Sequence, residues 1–184
     1  MLKKKTKKKS IVDIKWIIIV TICAFFMSVV FSSGMEIVTN KLSLILGGVL
    51  IVCVIIIGVL FDIVGVAITA CDIKPFNSMA AKKVRGSKTA IELIKNREKV
   101  SAFCNDVVGD VCGVVSGSVG IILAVMISDI IKSQSIIITV MVTAFISAVT
   151  IGSKALGKSY AINKSEKIVF RFSKIVSFFK KEAK

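Results

Sequence analysis

Long apolar runs separated by short polar or strongly basic stretches make up most of the chain. Four such runs can be drawn, at about residues 16–33, 42–71, 100–127 and 135–151. Each approaches or exceeds the roughly 20 residues that a helix needs to cross a bilayer. The pattern predicts an all-α membrane protein with four transmembrane helices. The connections 34–41 and 128–134 are short, so the helices they join run antiparallel. A single transmembrane domain over 16–156 is expected, between a basic N-terminal stretch (1–15) and a basic tail (157–184). The stretch after the opening lysines lacks a small-residue cleavage site and is long enough to remain as an anchor.

Basic residues set the expected orientation. Seven precede Trp16, eight lie in 72–99 and nine in 152–184, whereas Lys41 and Lys132 stand alone in the other two connections. With four spans, all three basic regions fall on one side. By the preference of lysine and arginine for cytoplasmic loops, both termini are expected in the cytoplasm of a multi-pass cell-membrane protein.

Two basic segments show helical periodicity. Residues 78–99, after Pro75, place Ala80, Val84, Ser87, Ile91 and Ile94 near one face. In the tail, Ile168, Phe172, Ile175, Val176 and Phe179 recur between lysines and arginines. Both read as amphipathic helices lying on the membrane, with anionic lipid of the cytoplasmic leaflet as partner. The alternative is a helix packed on protein.

Composition narrows the function. The chain is 55% hydrophobic with mean hydropathy +0.87 and net charge +15. Topology accounts for the basic excess, so nucleic acid is not an expected partner. The absence of histidine excludes His-based triads and His-ligated zinc or iron. The five cysteines have no CxxC spacing and read as small apolar fillers.

The third run contains F-C-N-D-V-V-G-D-V-C-G-V-V-S-G (103–117), with two carboxylates four residues apart. At 100° per residue, Asp106, Asp110, Gly113, Gly117 and Gly120 fall within an arc of about 80°. Val107, Val108, Val111, Val114, Val115 and Val119 fall elsewhere, and are expected to face lipid. In the second run, Gly58, Asp62, Gly65 and Thr69 likewise share a narrow face. Small residues allow membrane helices to approach closely, so the two acidic, glycine-lined faces are expected to meet. Counted from the basic side, Asp62 and Asp110 lie about 15 Å deep and Asp106 about 10 Å deep. No lysine or arginine within the expected spans neutralises them. An uncompensated carboxylate there costs at least about 2.5–3.5 kcal/mol, unless it is protonated, hydrated or bound to a cation. Asp62, Asn105, Asp106, Asp110, Thr69 and Ser116 supply the oxygen ligands that a hard divalent ion prefers. The alternative is protonated aspartates that hydrogen-bond the helices together.

F-D-I-V-G-V-A-I-T (61–69), the basic segment 80–100 and S-A-F-C-N-D-V-V-G-D (101–110) follow one another within about residues 42–155. This order of parts resembles the transmembrane domain of the CorB/CorC family, prokaryotic relatives of the cyclin M magnesium transporters. Of the family's F-S-x-x-E-x-A pattern, Phe61 and Ala67 match, while Asp62 replaces serine and Gly65 replaces glutamate. Of its N-N-x-V-N pattern, Asn105 and Val108 match, while Asp106 and Gly109 replace asparagines. The resemblance implies Mg²⁺ or Co²⁺ transport through a cytoplasm-open cation site and a dimeric assembly. The CBS module that usually follows in the family is not in this chain, and ATP gating is not expected.

Three functions follow for comparison. The leading one is a divalent-cation transporter, or a reduced relative of one, with no enzymatic activity. The second is a non-transporting membrane scaffold. The third, an intramembrane aspartyl protease, rests only on Asp62 and Asp110. Overlapping GxxxG spacings at Gly109, Gly113 and Gly117 admit a homodimer, but packing within one subunit is the favoured use of that stripe, because the aspartates need cover.

Overall fold

In the computed structural model the described residues are 14–39, 43–132 and 135–179, and among them there is no β-strand. The elements are α1 (Ile14–Thr39), α2 (Leu44–Ala70), α3 (Lys74–Ala81), α4 (Ser87–Lys95), α5 (Arg97–Ala102), a π-helical segment (Phe103–Gly109), α6 (Asp110–Ile131), α7 (Ser135–Asn163) and α8 (Ser165–Phe179). Among the described residues, four stretches are long and apolar enough to cross a membrane: Ile14–Gly34, Leu44–Ala70, Arg97–Ile131 and Ile136–Asn163. The fourth extends well beyond residue 151, where the apolar run was expected to end.

The bundle is built on α2, α6 and α7, each packed against the other two. Along α2, Gly47, Ile51, Ile55, Gly58, Asp62, Gly65 and Ile68 are buried, the three- and four-residue spacing of one helical face. Glycines set the closeness of these contacts. A β-carbon at Gly47 would stand 2.5 Å from Leu123, one at Gly120 2.5 Å from Ile146, and one at Gly58 3.0 Å from Cys112. Ile51, Ile55, Val119 and Leu123 form one apolar core between α2 and α6. Helix α1 leans mainly on α6 and the π-helical segment, and none of its residues with described burial is buried. Near its start, the Lys99 ammonium lies 5.1 Å from the Trp16 ring centroid, within cation–π range.

The segment 78–99, expected as a single helix, is broken. It comprises the end of α3, a turn, α4 and the start of α5. Lys83 (φ 55°) and Gly86 (φ 87°) adopt left-handed backbone in the turn. At Gly86 a side chain would be doubly unfavourable: its φ favours glycine, and its β-carbon position lies 3.4 Å from the Lys174 backbone of α8. This contact locks the turn onto α8.

A second apolar core gathers Ala67, Ile68 and Cys71 from the end of α2 and its exit, Phe76 from α3, Ala90 and Ile94 from α4, Ala161 from α7 and Val169 from α8. Ile94 and Ala90 therefore bury themselves against protein. A membrane-surface helix over 78–99 would have left them to lipid. Ala67, Ile68 and Cys71, at the apolar end of α2 and its exit, supply part of the receiving surface.

Candidate functional site

The candidate site lies where α2 meets the π-helical segment. A π-helical turn closes i→i+5 hydrogen bonds and so holds one more residue than an α-turn. That extra residue offsets the face by about 100° relative to a continuous α-helix, and it occurs at Phe103–Gly109, within the polar motif. Here Asn105 packs on α2: a β-carbon at Gly65 would overlap the Asn105 side-chain oxygen. Glycine at 65 is thus the condition for this asparagine to sit where it does.

Asp62, one helical turn before Gly65, is 5% exposed. The two residues are separated by about 4.5 Å along the α2 axis. Asp62 Oδ2 and Asn105 Oδ1 are both buried and have no hydrogen-bond partner, whereas Asn105 Nδ2 donates to Ser101 Oγ at 3.2 Å. Both orphaned atoms are acceptors. They cannot satisfy each other without a proton or a cation, and buried polar atoms are rarely left unpaired.

The other predicted oxygens are placed differently. Asp106 is exposed, and the Asp110 side chain is 74% exposed. A β-carbon at Gly113 or Gly117 would meet nothing within 4 Å. The acidic, glycine-lined stripe of the third span does not meet α2. The helix instead buries Val107, Val108, Val111, Val115 and Val119, so the expected lipid face and packing face are exchanged. Valines remove more apolar surface from water or lipid contact and interdigitate, whereas turning the carboxylates inward would have left them opposite a further acid, Asp62.

Asp110 also has a basic neighbour, contrary to the expectation that none lies within the spans. Lys154, on the extended α7, approaches Asp110 Oδ1 at 3.8 Å and donates to the Gly109 carbonyl at 3.4 Å. Ser116 is buried, but its hydroxyl donates to the Gly113 carbonyl at 3.0 Å. Thr69 is exposed and donates to the Val66 carbonyl at 2.8 Å.

Thr69 lines an open cleft of about 400 Å³ at the end of α2, together with Cys71, Asp72, Ile94, Lys95 and Arg97. Burial pushes the Cys71 thiol above its ordinary value, a Ser165 hydrogen bond opposes this, and the charges of Glu166 and Asp72 add to the rise. Of the predicted oxygens, Asp62 Oδ2 and Asn105 Oδ1 are buried without a partner, on two elements that pack against each other. Among the described residues, no three of histidine, cysteine, aspartate or glutamate gather to hold a metal. Sequence reading missed Lys154, and it set the Gly65 face against the Asp106/Asp110 stripe where the structure sets it against Asn105. A lysine three residues past an apolar run, when helical pattern continues beyond it, was the available signal for the first.

Comparisons with known protein families, curated proteins and solved structures return no match.

Proposed function

We propose that this chain is a divalent-cation (Mg²⁺ or Co²⁺) transporter, or a reduced relative of one, with Asp62 and Asn105 as its innermost ion contact. The supporting observation is the pair of buried, unpartnered acceptor oxygens on facing helices. A hard cation meets their need directly, and Mg²⁺ retains several waters when one or two carboxylates bind it. Asp106 and Asp110, toward the same end of the third span, would attract cations to the approach. Thr69 and Ser116 would offer lone pairs, since their hydroxyl protons are already engaged.

In this reading the protein is a multi-pass cell-membrane protein with both termini cytoplasmic. Its basic segments face anionic lipid, and the open Gly113/Gly117 face suits a second copy. The test is Mg²⁺ and Co²⁺ flux in proteoliposomes holding wild type, Asp62→Asn, Asp106→Asn or Asp110→Asn. Wild-type flux that Asp62→Asn abolishes and Asp110→Asn only reduces is the expected result. Absence of flux from folded wild type for both metals would sink the proposal.

A second reading, a non-transporting scaffold, draws on a specific observation. Asp106 and Asp110 turn away from Asp62, and Asp110 is neighboured by Lys154. In that case a protonated Asp62 would serve as a hydrogen-bond donor to Asn105, and Asp62→Asn would alter stability without any flux to lose.

A further inference from the structure

The faces of α8 are unequal after it packs. Ser165, Val169, Ser173 and Ser177 recur every fourth residue, and the last three are buried. With Ser173 at zero, Phe172, Phe179, Ile168 and Ile175 fall between about −100° and −160°, and Lys174, Lys167 and Arg171 between about +100° and +160°. Helix α8 meets α2 and α4 through this ridge, with Ile168, Phe170 and Phe172 partly buried against the same core beside it. Ile175 (58% exposed) and Phe179 (83%) remain uncovered beside a row of exposed basic residues, and Phe178 (72%), near +140°, stands within that row.

We infer that this outward face of α8 binds the surface of an anionic bilayer. Ile175, Phe178 and Phe179 would enter the headgroup–acyl boundary, and Lys167, Arg171 and Lys174 would lie against acidic headgroups. Two observations favour lipid as the occupant. Helix α8 begins at Ser165, directly after α7 ends at Asn163, and α7 is long and apolar enough to cross a membrane. The helix is thereby tethered at a membrane boundary. Its charge is also complementary: Glu166 is the sole acidic residue in 165–179, and Lys180 and Lys181 follow in the sequence. The basic segment of α4 does not share this role to the same degree, because Ala90 and Ile94 are spent on the protein core. The inference rests on the membrane-embedded reading of the chain, and it does not depend on ion transport.

The experiment uses the full chain carrying Trp16→Phe and Phe179→Trp, so that one tryptophan reports from the α8 face. It is reconstituted in phosphatidylcholine alone or mixed with phosphatidylglycerol. Emission wavelength, quenching by acyl-brominated lipid and quenching by aqueous iodide are then measured. The expected result is blue-shifted emission with strong brominated-lipid quenching in the anionic bilayer, lost in high salt and in a Lys167→Gln/Arg171→Gln/Lys174→Gln variant. Iodide-accessible, red-shifted emission in both bilayers would overturn the inference. So would brominated-lipid quenching that is equal in neutral bilayers. Shielding from both quenchers, rising with protein density, would overturn it in favour of a second copy on this face. Because the readout is independent of flux, a non-transporting protein still tests it.

Discussion

Asp62 and Asp110 look alike in the sequence and end in opposite circumstances. Each is an aspartate in an apolar run with small residues at helical spacing. Asp62 faces another helix, is 5% exposed and leaves an oxygen unpaired; the Asp110 side chain is 74% exposed and has Lys154 at 3.8 Å. The difference comes from the neighbours. Glycines at 58 and 65 let the third span approach α2 on the Asp62 side, whereas the valines of the third span claim its packing faces and leave Asp106 and Asp110 outside. A carboxylate retained in the first setting carries an energetic burden that the second does not. That asymmetry is the reason to look for an ion or proton at Asp62.

The largest expected effect separates these two residues directly. Asp62→Asn supplies an amide donor opposite Asn105 and removes a buried acid, so thermal unfolding in detergent should show a gain on the order of 1–3 kcal/mol. Asp110→Asn should change stability by less than about 1 kcal/mol, as an exposed ion pair does. Equal effects would erase the distinction.

Next in size is the glycine that admits Asn105. Gly65→Val should cost about 1–3 kcal/mol by overpacking, and Asn105→Ala in the same chain should recover part of it. A double-mutant cycle reads that coupling. Strict additivity would mean that Asn105 does not sit against Gly65.

A smaller effect tests the outward stripe. Gly113→Ala and Gly117→Ala, with open space at the β-carbon, should each stabilise the helix by about 0.5–1 kcal/mol. A loss would instead reveal a partner closely packed there, and crosslinking across that face would identify a second copy. Smallest of all, Lys154→Met should cost no more than about 1 kcal/mol in unfolding measurements while removing the partner of Asp110. In flux measurements it should sharpen any role of Asp110, whose charge would then stand alone.

The legible part of the fold was its one-dimensional part. Apolar runs near bilayer length marked the four long helices, since a chain without water must close its backbone hydrogen bonds within each segment. Periodicity also marked the α8 segment, and the face-sharing of Gly58, Asp62 and Gly65 on α2 could be computed from 100° per residue. The same arithmetic kept Asp106, Asp110, Gly113 and Gly117 together on one stripe. It carried no information on which way that stripe turns. The break at Lys83–Gly86 was also hidden, because basic residues with good helical propensity surround a glycine whose left-handed backbone packs against α8.

By itself, the sequence determined that four apolar helices form and which residues share a face on α2, because both follow from hydrophobicity and helical pitch. Only the tertiary structure decided that Asn105, rather than Asp106 or Asp110, stands against the Asp62 side of α2. That choice depends on a π-helical turn and on the match of a glycine surface to an asparagine. Side chains distant in sequence compete for the same interface, and shape complementarity settles which of them enters.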